Sequence, residues 1–271
     1  MRNEATGRIP EGRTITWLWA AATLILVAAL VTAFVFIVLE VASAGRLVQW
    51  DRHITAFLVE VRTAGWNRVL WAFSLLGNTP LVVVFTLAGA LLFATWGRRP
   101  QAMLMIIGVA STTGISNLLK AVLERARPDE ALALIEMPRS GSLPSGHALV
   151  TAVFLGLVLL PVVRSRWQGW PATPLRVGIG LAVVAVAGLI GFSRVYLGVH
   201  WASDVIGGWC LGGAWLIIVV VAFRIWERTD RASAAQRLQR VEGWRVAVTV
   251  LVIIAVAVAA VFEAQATPLL G

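Results

Sequence analysis

The chain has 271 residues, of which 59% are hydrophobic and 14% charged, and its mean hydropathy is +0.82; soluble domains carry about 25% charged residues. This composition excludes an ordinary cytosolic enzyme and a disordered chain, and the lone cysteine, Cys210, excludes a disulfide-built secreted domain. The net charge of +9 would raise the question of nucleic acid in a soluble protein, but in a membrane protein it reflects basic residues gathered in cytoplasmic loops, and no nucleic-acid partner is expected.

A helical span needs about 20 apolar residues. The first runs uncharged over residues 14–39 and opens with Trp17 and Trp19 at the depth of an interfacial aromatic belt. No cleavage site follows it near Glu40, so it reads as a retained helix and not as a removed signal peptide. Residues 40–68 mix Arg46, Asp51, Arg52, Glu60 and Arg62 with apolar residues at helical spacing, which predicts a helix lying in the interface without crossing. Further apolar runs follow at about 80–97, 101–119, 147–163, 177–193, 205–223 and 246–262. The expected fold is all-α, a polytopic membrane helical bundle of seven spans forming a single domain over 1–271. Its core covers about 14–223, residues 224–245 form a cytoplasmic amphipathic connection, and 246–262 add a short last span.

A cytoplasmic N-terminus places 14 basic residues inside and the other nine outside, the orientation favoured by the positive-inside rule. Of the 23 basic residues 22 are arginine, and Lys120 is the only lysine.

Ionisable side chains at membrane depth are costly and mark function where they converge. Four clusters do so: Lys120 with Arg127-Pro128 after the third span, Pro144-Ser145-Gly146-His147 opening the fourth, Ser193-Arg194 closing the fifth, and His200 with Asp204 opening the sixth. Antiparallel alternation puts all four on one side of the bilayer, the outer one. Lys120 and Arg127 are seven residues apart, so if the helix continues they share a face. Ser145, Gly146 and His147 stand at a helix start, where free N–H groups and the dipole favour phosphate. Arg194 adds a planar bidentate donor.

His200 and Asp204 lie one helical turn apart. The carboxylate can fix the imidazole tautomer and leave the other ring nitrogen free to attack, while His147 supplies a separate general acid. Three cations and a helix N-terminus would stabilise a phosphoryl group without a metal or other cofactor. A metal site from His147, His200 and Asp204 is disfavoured because its neighbours are cationic. Glu124, Asp129, Glu130 and Glu136 read as solvated loop charges, His53 as a surface residue and Tyr196 as an interfacial anchor.

Lys120 followed by six residues and Arg127-Pro128, then Pro144-Ser145-Gly146-His147, then Ser193-Arg194 followed by five residues, His200, three residues and Asp204, resembles the three-part signature of the type 2 phosphatidic acid phosphatase (PAP2) superfamily. The resemblance covers roughly residues 40–223. It implies a six-helix membrane core, to which the seventh apolar run is an addition, and a metal-independent phosphatase working through a phosphohistidine. It also implies His200 as nucleophile, Asp204 as its partner, His147 as general acid, and Lys120, Arg127, Ser145, Gly146 and Arg194 as the phosphate cradle. The expected substrate is a lipid phosphomonoester or diphosphate, of the polyprenyl diphosphate, phosphatidate or phosphatidylglycerol phosphate type, met at the outer face of a plasma membrane. The alternatives are a lipid phosphotransferase with a non-water acceptor and a non-catalytic lipid-binding or transport protein. The motifs leave the particular lipid and the oligomeric state open.

Overall fold

The structure is a computed structural model that describes residues 11–164 and 172–234. Among them every regular element is helical: α1 (Glu11–Ala42), α2 (Arg46–Glu60), α3 (Ala64–Leu76), α4 (Thr79–Thr95), α5 (Arg99–Leu123), α6 (Gly146–Arg164), α7 (Ala172–Tyr196) and α8 (Ala202–Ala234), with a single 3-10 turn at Glu130–Leu132. Six of the seven apolar runs fall on α1, α4, α5, α6, α7 and α8. The run at 246–262 and most of the connection at 224–245 lie outside the described residues, although α8 passes the boundary at 223 without a break.

Among the described residues four helices are long and apolar enough to cross a bilayer: Trp17–Ala42, Arg99–Leu123, Pro174–Tyr196 and Ala202–Glu227. The shorter helix at Gly146–Pro161 is apolar as well. α3 and α4 pass the same test only as a pair, bent by 50° across their junction. This corrects the reading of 40–68 as one interfacial helix. The segment holds two helices, and the second pairs with α4 across the bend. Asn67 and Arg68 hide its start, while Pro80 sits in the first turn of α4 and sets the second helix off from the first.

Sequence explains the helix ends nearest the site. The Glu40 carboxylate accepts from Leu47 N at 3.2 Å and so covers the start of α2, and Thr63 Oγ1 accepts from Trp66 N at 3.3 Å to cap α3. α5 stops where Glu124 enters the left-handed region at φ 42°.

Lipid is as apolar as leucine, so helices in a membrane associate through close packing at small residues. α6 and α8 do so. A Cβ at Gly208 would lie 2.7 Å from Ser145 O, and one at Gly212 would lie 2.8 Å from Leu149 O. Behind this seam Phe85, Phe93, Met105, Val153, Phe154 and Leu157 join α4, α5 and α6 in the largest core cluster, with the Phe85 and Phe154 rings stacked at 6.3 Å. α1 turns most of its surface outward, including Trp17, Trp19, Leu24 and Ile25. It buries Phe34 and Ile37 beside Leu143 and partly buried Cys210 and Leu211.

Candidate active site

Chain alternation brings the end of α5, the start of α6, the end of α7 and the start of α8 to one end of the bundle, and all four sequence clusters meet there. Lys120 stands in the last turn of α5. Arg127 does not share that helix face, because the helix has already ended at Leu123. It reaches the site from the irregular segment beyond, held by main-chain carbonyls: Nε donates to Ser140 O (2.9 Å), Nη2 to Gly141 O (3.1 Å) and Nη1 to Val199 O (2.6 Å). These bonds hold the 140–141 strip to the segment before His200.

Ser145 precedes α6, and its N–H donates to Asp204 O at 2.9 Å. The Ser145 side chain is fully buried, and its Oγ has no hydrogen-bond partner among the described residues. A Cβ at Gly146 would lie 3.7 Å from Lys120 Nζ, so the ammonium stands beside the free N–H groups of the α6 N-terminus. His147, in the first turn, packs against the α3–α4 junction, where a Cβ at Gly77 would lie 2.8 Å from its Cδ2. Arg194 occupies the last turn of α7. It is buried, it donates through Nη1 to Ser74 Oγ of α3, and its Nε has no partner among the described residues.

His200 and Asp204 are both buried. His200 Nδ1 lies 3.3 Å from Asp204 Oδ2, and Nε2 lies 3.3 Å from Arg127 Nη1. A carboxylate at Nδ1 favours the tautomer with its proton there and leaves the Nε2 lone pair facing the cations. Burial, followed by the charges of Arg127, Arg194 and Lys120, holds His200 well below the ordinary histidine range. It is therefore neutral at pH 7. Asp204 Oδ2 also accepts from Trp201 N at 2.9 Å, so the carboxylate caps α8 from its third position, as one half of a capping box does.

Arg125, Asp51, Ser203, Ser142 and Ser74 are the residues that sequence reasoning missed. Arg125 Nη1 donates to Asp204 Oδ1 (2.5 Å) and Ser203 Oγ (2.8 Å), and its Nη2 donates to Asp51 Oδ2 (2.7 Å). Ser142 Oγ donates to Asp204 Oδ1 at 3.4 Å. One signal was available: Asp51 lies on the stripe with Thr55 and Leu58 that α2 buries, and a carboxylate on an apolar helix face needs a partner.

Tyr196 is a second correction. It is buried, not an interfacial anchor. Arg62 donates to its carbonyl through Nε (3.2 Å) and Nη2 (2.7 Å), and its hydroxyl accepts from Thr63 N (3.2 Å) and donates to Asn67 Oδ1 (3.0 Å). The turn between α2 and α3 thus clamps the chain just before His200. Glu124, Asp129, Glu130, Glu136 and His53 are exposed, as expected. Among the described residues no three His, Cys, Asp or Glu form a group able to hold a metal ion.

The chain is similar to known membrane phosphatases. The profile of the PAP2 superfamily matches residues 101–228. Phosphatidylglycerophosphatase B of Bacillus subtilis is 32% identical over 182 residues, 65% of this chain and 85% of the relative. Undecaprenyl-diphosphatase of Sulfolobus acidocaldarius is 31% identical over 49% of this chain and 59% of the relative. The lipid A 1-phosphatase of Rhizobium etli is 31% identical over 40% of this chain and 44% of the relative. The crystal structure of a transmembrane PAP2 type phosphatidylglycerolphosphate phosphatase from Bacillus subtilis superposes with a TM-score of 0.58 at 26% identity, covering 78% of this chain and 98% of that one. With the motif residues gathered at one end of an all-helical membrane bundle, the chain belongs to the PAP2 superfamily and is a phosphatase of its membrane branch.

Proposed function

We propose that the protein hydrolyses the phosphomonoester or diphosphate of a membrane lipid through a phosphohistidine on His200. The observation that carries this reading is the pairing of His200 Nδ1 with Asp204 at 3.3 Å while Nε2 faces Arg127. The Nε2 lone pair attacks phosphorus, and the bond from phosphorus to the leaving oxygen breaks in line. His147, which takes up a proton when the anionic phosphate enters beside it, gives that proton to the leaving oxygen, and the Nδ1 proton stays with His200, shared with Asp204. His147, now neutral, takes a proton from the water that attacks the phosphohistidine; free phosphate leaves and His200 is restored. Lys120, Arg127, Arg194, Ser145 Oγ and the N–H groups at Gly146 surround the equatorial oxygens, where fixed positive groups act most strongly on developing charge.

A lipid substrate is supported by the position of the cradle at the ends of spans, the depth of lipid headgroups, and by the names of the relatives. An outward-facing site in the plasma membrane, with a cytoplasmic N-terminus, is supported by Arg98 and Arg99, which start α5 at the end opposite Lys120. The test is phosphate release by the purified full chain in detergent with EDTA present, against phosphatidate, phosphatidylglycerol phosphate, a polyprenyl diphosphate and a lipid A phosphate. Release from at least one without an added acceptor is expected, which also separates hydrolysis from phosphotransfer. Strict dependence on added divalent metal, or release from none of the four, overturns the reading.

A further inference from the structure

Asp51 stands outside the signature motifs and Arg125 occupies one of the six unassigned positions between Lys120 and Arg127, yet the two share a buried, densely hydrogen-bonded charged group. Asp51 comes from α2, Arg125 from the segment after α5, and Ser203 and Asp204 from the first turn of α8. Asp51 Oδ1 accepts from Ser203 N at 2.9 Å, and its Oδ2 accepts from Ser203 Oγ at 2.5 Å and Arg125 Nη2 at 2.7 Å. The other fork of Arg125 holds Asp204 Oδ1 at 2.5 Å. All four side chains are buried.

Two physical consequences follow. Trp201 stands at the N-cap of α8, and an indole cannot accept a hydrogen bond from the first turn, so Asp51 supplies that acceptor from another helix. Its negative charge also lies at the positive end of the helix dipole. The first turn of α8, from which Asp204 projects, is thereby fixed to α2. Secondly, Asp51, Arg125, Asp204 and His200 form a chain of alternating charge. Were Arg125 to meet Asp204 alone, its whole charge would draw on the carboxylate that His200 Nδ1 needs, and burial leaves such effects poorly screened.

We propose that Asp51 is a positioning residue of the phosphatase, acting through Arg125 on Asp204 and through Asp204 on His200. The proposal rests on the reading of His200 as nucleophile. The groups facing His200 are Lys120 from α5, Arg127 from the segment after it, His147 from α6, Arg194 from α7 and Asp204 from α8, with Arg125 bonded to the other oxygen of Asp204. Asp51 offsets Arg125 within this largely cationic set.

The charges give opposite signs to two variants. Asp51→Asn removes a negative charge, so the imidazolium of His200 is less stable and the acid limb of kcat/KM moves to lower pH. Arg125→Gln removes a positive charge and moves the limb to higher pH. Neither residue touches substrate, so kcat falls by roughly tenfold, as for loss of a partner that orients a working histidine, while KM holds within about twofold. Arg52→Gln, an exposed neighbour on α2, moves neither quantity.

The test measures pH profiles of phosphate release by the full chain in detergent, on the lipid of the panel that it turns over fastest, with His200→Ala alongside. Opposite displacements of the acid limb support the proposal; unmoved limbs, or limbs moved the same way, overturn it. If His200→Ala stays active, the functional reading fails first. If His200→Ala is inactive and both limbs stay put, the positioning role alone fails. Where the charge variants do not purify as folded protein, Ser203→Ala loosens Asp51 and Arg125 without changing charge. It should lower kcat several-fold with KM kept, and an unchanged kcat overturns the proposal.

Discussion

The main-chain N–H of Ser145 donates to the main-chain carbonyl of Asp204 at 2.9 Å, so the starts of α6 and α8 are joined directly through the backbone. That join sets His147 and the Gly146 N–H groups against the His200–Asp204 pair. It depends on Gly208, one turn further along α8, where a Cβ would lie 2.7 Å from Ser145 O. Gly208→Val should lower stability by about 1–3 kcal/mol, the cost of overpacking a tight contact. Activity should fall further than occupancy of the folded state alone explains. Thermal unfolding in detergent and kcat on the folded fraction measure the two; a native kcat would show that the close approach is not needed.

His200→Ala, Asp204→Asn and His147→Ala should each lower turnover by on the order of a hundredfold or more, as for lost nucleophilic or acid–base groups. His200→Ala should be the most severe. Acid-quenched wild-type enzyme should carry labelled phosphate on His200, and label on a serine or aspartate would redirect the mechanism.

The depressed pKa of His200 fixes two pH dependences. The proposed attack by His200 needs the neutral ring, so the acid limb of activity should lie below the ordinary value of about 6.5. For stability, the unfolded chain protonates His200 near that value while the folded chain does not, so the unfolded state binds more protons between the two pKa values. The contribution is absent above about pH 6.5 and stability is lost as pH falls below it. His200→Gln should flatten this fall in melting temperature between pH 7 and 5. An equal slope in the variant would assign the effect to other groups.

Lys120 persists in a chain whose other basic residues are all arginine, and its Nζ lies beside Gly146. If the arginine bias has replaced lysine wherever charge alone mattered, the site wants a compact ammonium where a planar guanidinium would not fit. Lys120→Arg should therefore act as a loss of function, with kcat/KM reduced on the order of tenfold or more, the size of a lost charged hydrogen bond. Arg98→Lys, at the opposite end of α5, should be nearly silent. Equal behaviour of the two variants would remove the special role of the lysine.

Sidedness can be read on intact cells in a Cys210→Ser background. An impermeant thiol reagent should label a cysteine at Asp129, in the connection before α6, and spare one at Arg231 near the end of α8. Labelling at 231 alone would place the site on the cytoplasmic leaflet.

Composition and motif spacing determined much of this protein. Runs of about 20 apolar residues admit only helices in lipid, because every backbone polar group must be satisfied within the segment. Alternating spans then force Lys120, His147, Arg194 and His200 to one end, whatever their packing. Local spacing does not by itself pair His200 with Asp204 on one helical turn, because α8 begins at Ala202; His200 stands before the helix, and Asp204 reaches back to it across the helix start. The tertiary structure decided what local spacing cannot carry. Arg127 reaches the site across a helix end, through carbonyls 13 to 72 residues away in sequence. α3 becomes the first half of a bent pair with α4, a bend that hydropathy averages away. Asp51 and Arg125, 74 residues apart, each look like an ordinary interfacial charge along the chain. Only the packing of α2 beside α8 removes them from water, and it is that burial which obliges each charge to find its partner.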